Sequence, residues 1–217
     1  MILAILQARM SSSRLPGKVA MQVKNQTMLS YEISRILQSN LIDKLVLATS
    51  TNKEDDKLEA IAKECGIDCF RGSLDNVLER YYLCAKKYNA SHIVRLTGDC
   101  PIIDAKVIDE AIHLHLQTQA DYTTNGIQRT YPDGLDTEVM SFETLKKTHQ
   151  NATTKDELEH VTYYIYTHPK DFKIIHLTNP IDYSHLRWTL DYQEDYTLLK
   201  AIIESQPTHT FSWKDLL

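Results

Sequence analysis

The sequence predicts an α/β fold built on a doubly wound, mostly parallel sheet. Two observations carry that prediction. Apolar runs of strand length alternate with amphipathic helical stretches several times between Ile2 and Gln117. The first run, Ile2–Ala8 (ILAILQA), is apolar almost throughout, as a strand covered on both faces must be.

The elements follow in order. Met28, Leu29, Ile33, Ile36 and Leu37 recur at helical spacing and predict a helix over 28–39. Leu45–Thr49 (LVLAT) reads as the second strand. The next helix runs to Cys65 with Leu58, Ile61 and Ala62 on one face, and Gly66 stops it. Ile67–Phe70 is a short strand, and Asp75 is placed to cap a helix carrying Val77, Leu78, Tyr81, Tyr82 and Ala85. His92–Leu96 is the following strand, and Asp104 caps a helix with Val107, Ile108, Ala111 and Ile112. Beyond it the pattern loosens. Asp121–Thr124 reads as a strand and Tyr131–Asp136 (YPDGLD) as a loop with turn chemistry. Helices are expected over Ser141–His149 and from Lys155 to about Thr167, the latter ended by Pro169. Phe172–Leu177 and Arg187–Leu190 read as strands, and Tyr192–Ser205 as a helix. No stretch resembles a linker and no repeat is visible. Residues 1–217 are therefore read as one domain, with an excursion around 121–170 that packs on a partner.

Composition narrows the function classes. Hydrophobic residues make up 42% of the chain, enough for a sizeable core, and with six Gly and six Pro disorder is disfavoured. No apolar run reaches the roughly 18 residues of a membrane span. The opening MILAILQARM lacks the basic start and cleavage site of a signal peptide, so the expected location is the cytoplasm. Cys65, Cys69, Cys84 and Cys100 form no CxxC pair and no zinc spacing, and read as buried reduced thiols. The net charge of −5 argues against a nucleic-acid binder, which carries a basic stripe. It leaves a small anionic substrate open, because a local cluster of Arg and Lys dominates one cleft.

Three polar clusters fall at the carboxyl ends of expected strands, where open α/β sheets bind ligands. The first is Gln7, Ala8, Arg9 and the loop through Ser11, Ser12, Ser13 and Arg14 to Lys18. Its cations and hydroxyls suit a chain of phosphates, although a solvated loop would look similar. It is not a GxxxxGK[ST] loop, since Val19 follows Lys18, nor a GxGxxG fingerprint. The second cluster is Arg95, Thr97, Gly98 and Asp99, which delivers a carboxylate at a strand end, suited to Mg²⁺ beside phosphate; the alternative is a turn cap before Pro101. The third runs from Arg187 to Asp191. Two strand-end aspartates would suit one Mg²⁺ between them, while Asp191 also stands where it would cap a helix. Asp133, Asp136 and Glu138 crowd one loop and either bind sugar hydroxyls or face water. Glu157 and His160 stand three apart on an expected helix, either as a polar pair or as a substrate contact.

Taken together these segments carry a resemblance. LQARMSSSRLPGK resembles the signature loop of the cytidylyltransferases that make CMP-activated acidic sugars, the CMP-KDO and CMP-acylneuraminate synthetases. RLTGDCPIID, YPDGLDTEV, ELEHVT and RWTLDYQEDY are similar to segments of the spore coat polysaccharide biosynthesis protein F branch, and the likeness runs from Ile2 to about Leu199. The resemblance implies a three-layer α/β/α Rossmann-like nucleotidyltransferase fold, with the excursion serving sugar binding or dimerisation. It implies a Mg²⁺-dependent transfer of CMP from CTP to a sugar or sugar acid, with release of pyrophosphate, in polysaccharide or surface glycan biosynthesis, and a homodimer.

By position, Arg14 and Lys18 match triphosphate-binding residues, Asp99 matches an aspartate that holds Mg²⁺, and Asp191 looks like the second. Gln7 and Ala8 fall where the loop backbone approaches the base. Asp133, Asp136, Glu138 and His160 are carried over as substrate-side residues only loosely. The glycine pair of the ARGGSKR-type loop is replaced by Met10–Ser11, and no NVxxRP-type sugar segment can be placed, so sialic acid does not follow as the acceptor. The rival readings are a sugar-1-phosphate nucleotidylyltransferase using another nucleotide and a non-catalytic nucleotide- or sugar-binding module.

Overall fold

A computed structural model describes residues 1–217. The first half comprises β1 (Ile2–Gln7), a 3₁₀ turn at Lys18–Ala20, a hairpin of β2 (Gln22–Val23) and β3 (Gln26–Thr27), α1 (Met28–Ile36), β4 (Lys44–Ser50), α2 (Asp56–Glu64), β5 (Asp68–Gly72), α3 (Val77–Lys87), β6 (His92–Thr97) and α4 (Ala105–Thr118). The second comprises β7 (Tyr122–Thr124), β8 (Glu138–Ser141), α5 (Phe142–Asn151), α6 (Lys155–Glu159), α7 (Tyr163–Thr167), β9 (Ile174–His176), α8 (Gln193–Ser205) and a 3₁₀ turn at Trp213–Leu216.

The central sheet has the order β5-β4-β1-β6-β8-β7-β9. Pairing is parallel from β5 through β6, β8 runs against both β6 and β7, and β9 is parallel to β7. One reversed strand thus sits in an otherwise parallel sheet. β1 lies in its interior, and Leu3, Ala4, Ile5 and Leu6 are all fully buried, which is why that stretch is continuously apolar. From β1 the chain moves outward to β4 and β5, then crosses back to β6 on the other side of β1. Helices cover both faces, with α1, α2 and α4 on one and α3, α5 and α7 on the other. Leu29, Ile33, Leu58 and Ile108 share one core; Leu78, Tyr81, Leu145 and Ile165 share the other. The order reversal leaves a crevice beyond the carboxyl ends of β1 and β6. A third cluster, including Leu135, Trp188, Leu190, Leu199 and Trp213, knits the late segments together.

Several expectations are corrected. Asn76, not Asp75, caps α3: its side chain accepts from the Glu79 backbone N–H at 2.9 Å. The helix expected from Lys155 to Thr167 is two short helices, because His160 leaves helical geometry at φ −103° and ψ 90°. That break delivers Val161 and Ile165 into the core. Arg187–Leu190 forms no strand. It is held by an isolated bridge between Arg187 and Asp133 and by the Trp188 backbone N–H donating to the Asp133 carbonyl. The close approach is possible because Gly134, at φ 110°, has no side chain: a Cβ there would lie 2.7 Å from the Trp188 backbone. Strand β8 and the β2–β3 hairpin were not expected. All four cysteines are free, with Cys84 and Cys100 buried but Cys65 and Cys69 only half-buried. No helix is long and apolar enough to cross a membrane.

Candidate active site at the β1–β6 crevice

A cleft of about 300 Å³ opens at the carboxyl ends of β1 and β6. Gly98 lets those two strand ends close up. Its backbone N–H donates to the Gln7 carbonyl at 2.8 Å, and a Cβ on it would meet the Ala8 Cβ at 3.0 Å. The loop after β1 is pinned at both ends. Its Met10 N–H donates to the buried Asp55 carboxylate at 2.7 Å, and the Gly17 N–H returns to the Met10 carbonyl at 2.9 Å. Gly17, at φ 73°, then turns the chain into the 3₁₀ segment that begins with Lys18.

That turn sends the buried Lys18 side chain between two carboxylates, with Nζ at 3.3 Å from Asp99 Oδ2 and 2.9 Å from Asp191 Oδ1. Arg14 reaches the same Asp191 oxygen at 2.5 Å, and Arg187 holds the other at 3.0 Å. Burial alone would push the Asp191 carboxyl up, but the Lys18 hydrogen bond and the charges of Lys18, Arg14 and Arg187 outweigh it and hold it below the usual carboxylate range. Asp191 is free for this because Asp195 takes the capping role, accepting from the Asp191 and Tyr192 backbone N–H groups at 2.8 Å. Likewise Asp104, not Asp99, caps α4, accepting from the Lys106 N–H at 2.8 Å. The Leu190 N–H donates to the Asp99 carbonyl at 2.8 Å, so the two carboxylate segments are tied directly to each other.

The structure brings most of the residues singled out from sequence to this cleft. Gln7, Ala8, Arg9, Ser12, Ser13, Arg14, Lys18, Arg95, Thr97, Gly98, Asp99 and His160 line it, and Asp191 closes it through Lys18 and Arg14. Others lie off it. Ser11 turns its hydroxyl inward, where it has no partner. Glu138 sits behind Arg95, paired at 2.9 Å. Asp136 receives a two-pronged contact from Arg129 at 2.6 and 3.0 Å, and Asp133 lies between Arg129 and Arg187.

Sequence reasoning missed several contributors, Val19 and Glu159 on the cleft wall among them. Asp55 anchors the loop, and Val77 and Arg80 of α3 line the cleft. Glu32 of α1 is buried with neither carboxyl oxygen in a hydrogen bond, and burial together with the nearby Asp99 charge pushes its carboxyl well above the usual range. For Arg80 a signal existed: it shares a helical face with the apolar Val77, Tyr81 and Cys84.

The cytidylyltransferase family model matches residues 3–207. A spore coat polysaccharide biosynthesis protein of Bacillus subtilis is 36% identical over 210 residues, covering 94% of this chain and 86% of the relative. A cytidylyltransferase structure from Leptospira borgpetersenii superposes with a TM-score of 0.96 at 38% identity, over 99% of this chain and 91% of that one. The fold alone is shared with a CMP:2-keto-3-deoxy-manno-octonic acid synthetase solved with CTP, at a TM-score of 0.73 and 15% identity over 94% and 98% of the two chains. With the three-layer Rossmann-like nucleotidyltransferase architecture in place, the chain belongs to the cytidylyltransferase family.

Proposed function

We propose that the cleft transfers CMP from CTP to a sugar or sugar acid in polysaccharide or surface glycan biosynthesis, releasing pyrophosphate, in the cytoplasm. The observation that carries this reading is the meeting of Lys18 and Arg14 with Asp99 and Asp191 at the mouth of the β1–β6 crevice. Two cations on a serine-rich loop suit the β- and γ-phosphates, and Arg14 is half exposed and able to leave its partner.

The residues present fit a Mg²⁺ ion. Oxygens of Asp99 and Asp191 already converge on one positive charge, and Mg²⁺ is commonly held by one or two carboxylates with substrate phosphates and water completing its shell. Asp99 and Asp191 would hold the ion, and when bound it would neutralise charge on the phosphate oxygens.

The chain's own part is positioning and charge stabilisation. An acceptor oxygen, from an anomeric hydroxyl or a sugar-1-phosphate, forms a bond to the α-phosphorus as the bond to pyrophosphate breaks. Lys18 and Arg14 take up the charge of the departing pyrophosphate. Gln7 and Ala8 back the base, and His160 lines the wall left for the acceptor.

The test is pyrophosphate release from CTP, UTP, GTP, ATP and TTP against a panel of sugars, sugar acids and sugar-1-phosphates, with and without Mg²⁺. Release with CTP and Mg²⁺ is expected. Release with a different nucleotide alone would replace CTP in the reading, and triphosphate binding without release would make the chain a binding module.

A further inference from the structure

One buried charge in the cleft has no role in the reaction above. Arg80, in the first turn of α3, is 2% exposed and lines the cleft, as Val77 and Ala8 do. Its one hydrogen bond runs from Nη1 to the Ser73 carbonyl at 2.7 Å, and its Nε is shut off from solvent with no partner. No carboxylate forms an ion pair with it, and burial pulls its pKa down from the ordinary value. The position is nevertheless built for this side chain. Gly72 ends β5 where a Cβ would lie 3.0 Å from the Arg80 Cγ, so the missing side chain opens the path of the arginine stem. A buried guanidinium with a single acceptor and an orphaned Nε is costly unless a ligand completes it.

We infer that Arg80 is a specificity-determining residue that donates from its guanidinium to the carbonyl edge of the nucleobase. The inference rests on a nucleotide occupying this cleft. A triphosphate is strongly hydrated and multiply charged, and suits the exposed loop end, where the Arg14 side chain is 50% exposed and serine hydroxyls stand. Arg80 shares the cleft wall with Val77 and Ala8 as well as with Arg9, and the apolar part of that wall suits a flat ring bearing oxygen and nitrogen acceptors. Gln7, whose side-chain oxygen is also buried and unpartnered, lines the same cleft. A donor and an acceptor together match cytosine, which offers a carbonyl and an amino group.

The test is calorimetric titration of wild type, Arg80→Met and Arg80→Lys with CTP, CMP and inorganic tripolyphosphate, alongside thermal melting. Arg80→Met is expected to weaken CTP and CMP binding by roughly 10- to 100-fold, the loss of a hydrogen bond from a charged donor. Tripolyphosphate binding stays unchanged, and the melting temperature holds or rises, because methionine removes an unpartnered buried charge. Arg80→Lys keeps the charge without the planar fork and lies between the two; it carries the test if the methionine variant fails to fold. Unchanged CTP affinity overturns the assignment. So does an equal loss for tripolyphosphate, which would make Arg80 a phosphate residue. Wild type that binds tripolyphosphate but not CTP overturns the nucleotide reading itself, and the assignment with it.

Discussion

Arg35 and Arg80 are equally buried, each 2% exposed, on helices packed against opposite faces of the sheet. Arg35 donates to the carbonyls of Ile103 at 2.7 Å, His209 at 2.6 Å and Phe211 at 3.1 Å, with its guanidinium 4.1 Å from the Phe211 ring centre. Arg80 has one carbonyl and an orphaned Nε. The same side chain at the same burial is therefore scaffold in one place and incomplete in the other. A buried charge that the chain satisfies by itself holds the chain together; one that lines a cleft and is satisfied only in part is where we place a ligand. The charges around Lys18 fall between these cases. They are matched, but by groups that a triphosphate and a cation would replace.

The largest effect that would break this comparison is at that intermediate set. Asp99→Asn is expected to keep its fold and lose turnover by several hundredfold or more, since the carboxylate is placed for charge stabilisation rather than for packing. Pyrophosphate release and a melting curve check it together; turnover near wild type would remove Asp99 from the reaction. Next comes the scaffold side. Arg35→Met should cost about 3 kcal/mol by urea unfolding, because buried carbonyls lose their donor. Its KM for CTP should not move. A stable Arg35→Met protein with weakened CTP binding would erase the distinction between the two arginines.

How much was legible in the sequence follows the same division. The parallel half could be read because buried parallel strands are largely apolar: ILAILQA, LVLAT and HIVRL, read as strands, fall on β1, β4 and β6. The reversed strand β8 (EVMS) is too short for its alternation to stand out. Arg187–Leu190 looked like a strand because Trp188 and Leu190 are buried, but they pack against a loop that only Gly134 allows so close. Lys18, Asp99 and Asp191 were legible as charges beyond expected strand ends, and the structure brings them within hydrogen-bond distance. Asp133 and Asp136 were legible as a cluster but not as partners of Arg129, which comes from the same loop. Arg80 was hidden because a charge in a helix reads as a solvated face, and only the helical phase shows it pointing inward.

Asp191 sharpens the comparison through pH. Its folded-state pKa is depressed, so the stability it contributes is fully present above the unfolded carboxylate value of about 3.9 and is lost as pH falls through the folded value. Melting temperatures of wild type and Asp191→Asn, taken from neutral pH down to about 3, should converge in acid. A gap that stays constant with pH would mean that the cations around Asp191 do not set its titration.

The smallest effect separates the two helices at their caps. The Asn76 side chain accepts from the Glu79 N–H at 2.9 Å, and the Arg80 N–H reaches the Asn76 carbonyl at 3.2 Å, so this cap fixes the turn that carries Arg80. At α1, the Thr27 hydroxyl accepts from the Ser30 N–H at 3.0 Å, but Arg35 lies in the last turn, far from that cap. Asn76→Ala and Thr27→Ala should each cost about 1 kcal/mol. Asn76→Ala alone should also weaken CTP binding, because fraying the first turn of α3 releases the guanidinium from the cleft wall. Asp75→Ala, one residue earlier and without a capping bond, should change neither stability nor affinity. If the two cap variants weaken CTP binding equally, Arg80 is not held by its turn, and the difference between the arginines lies in their partners alone.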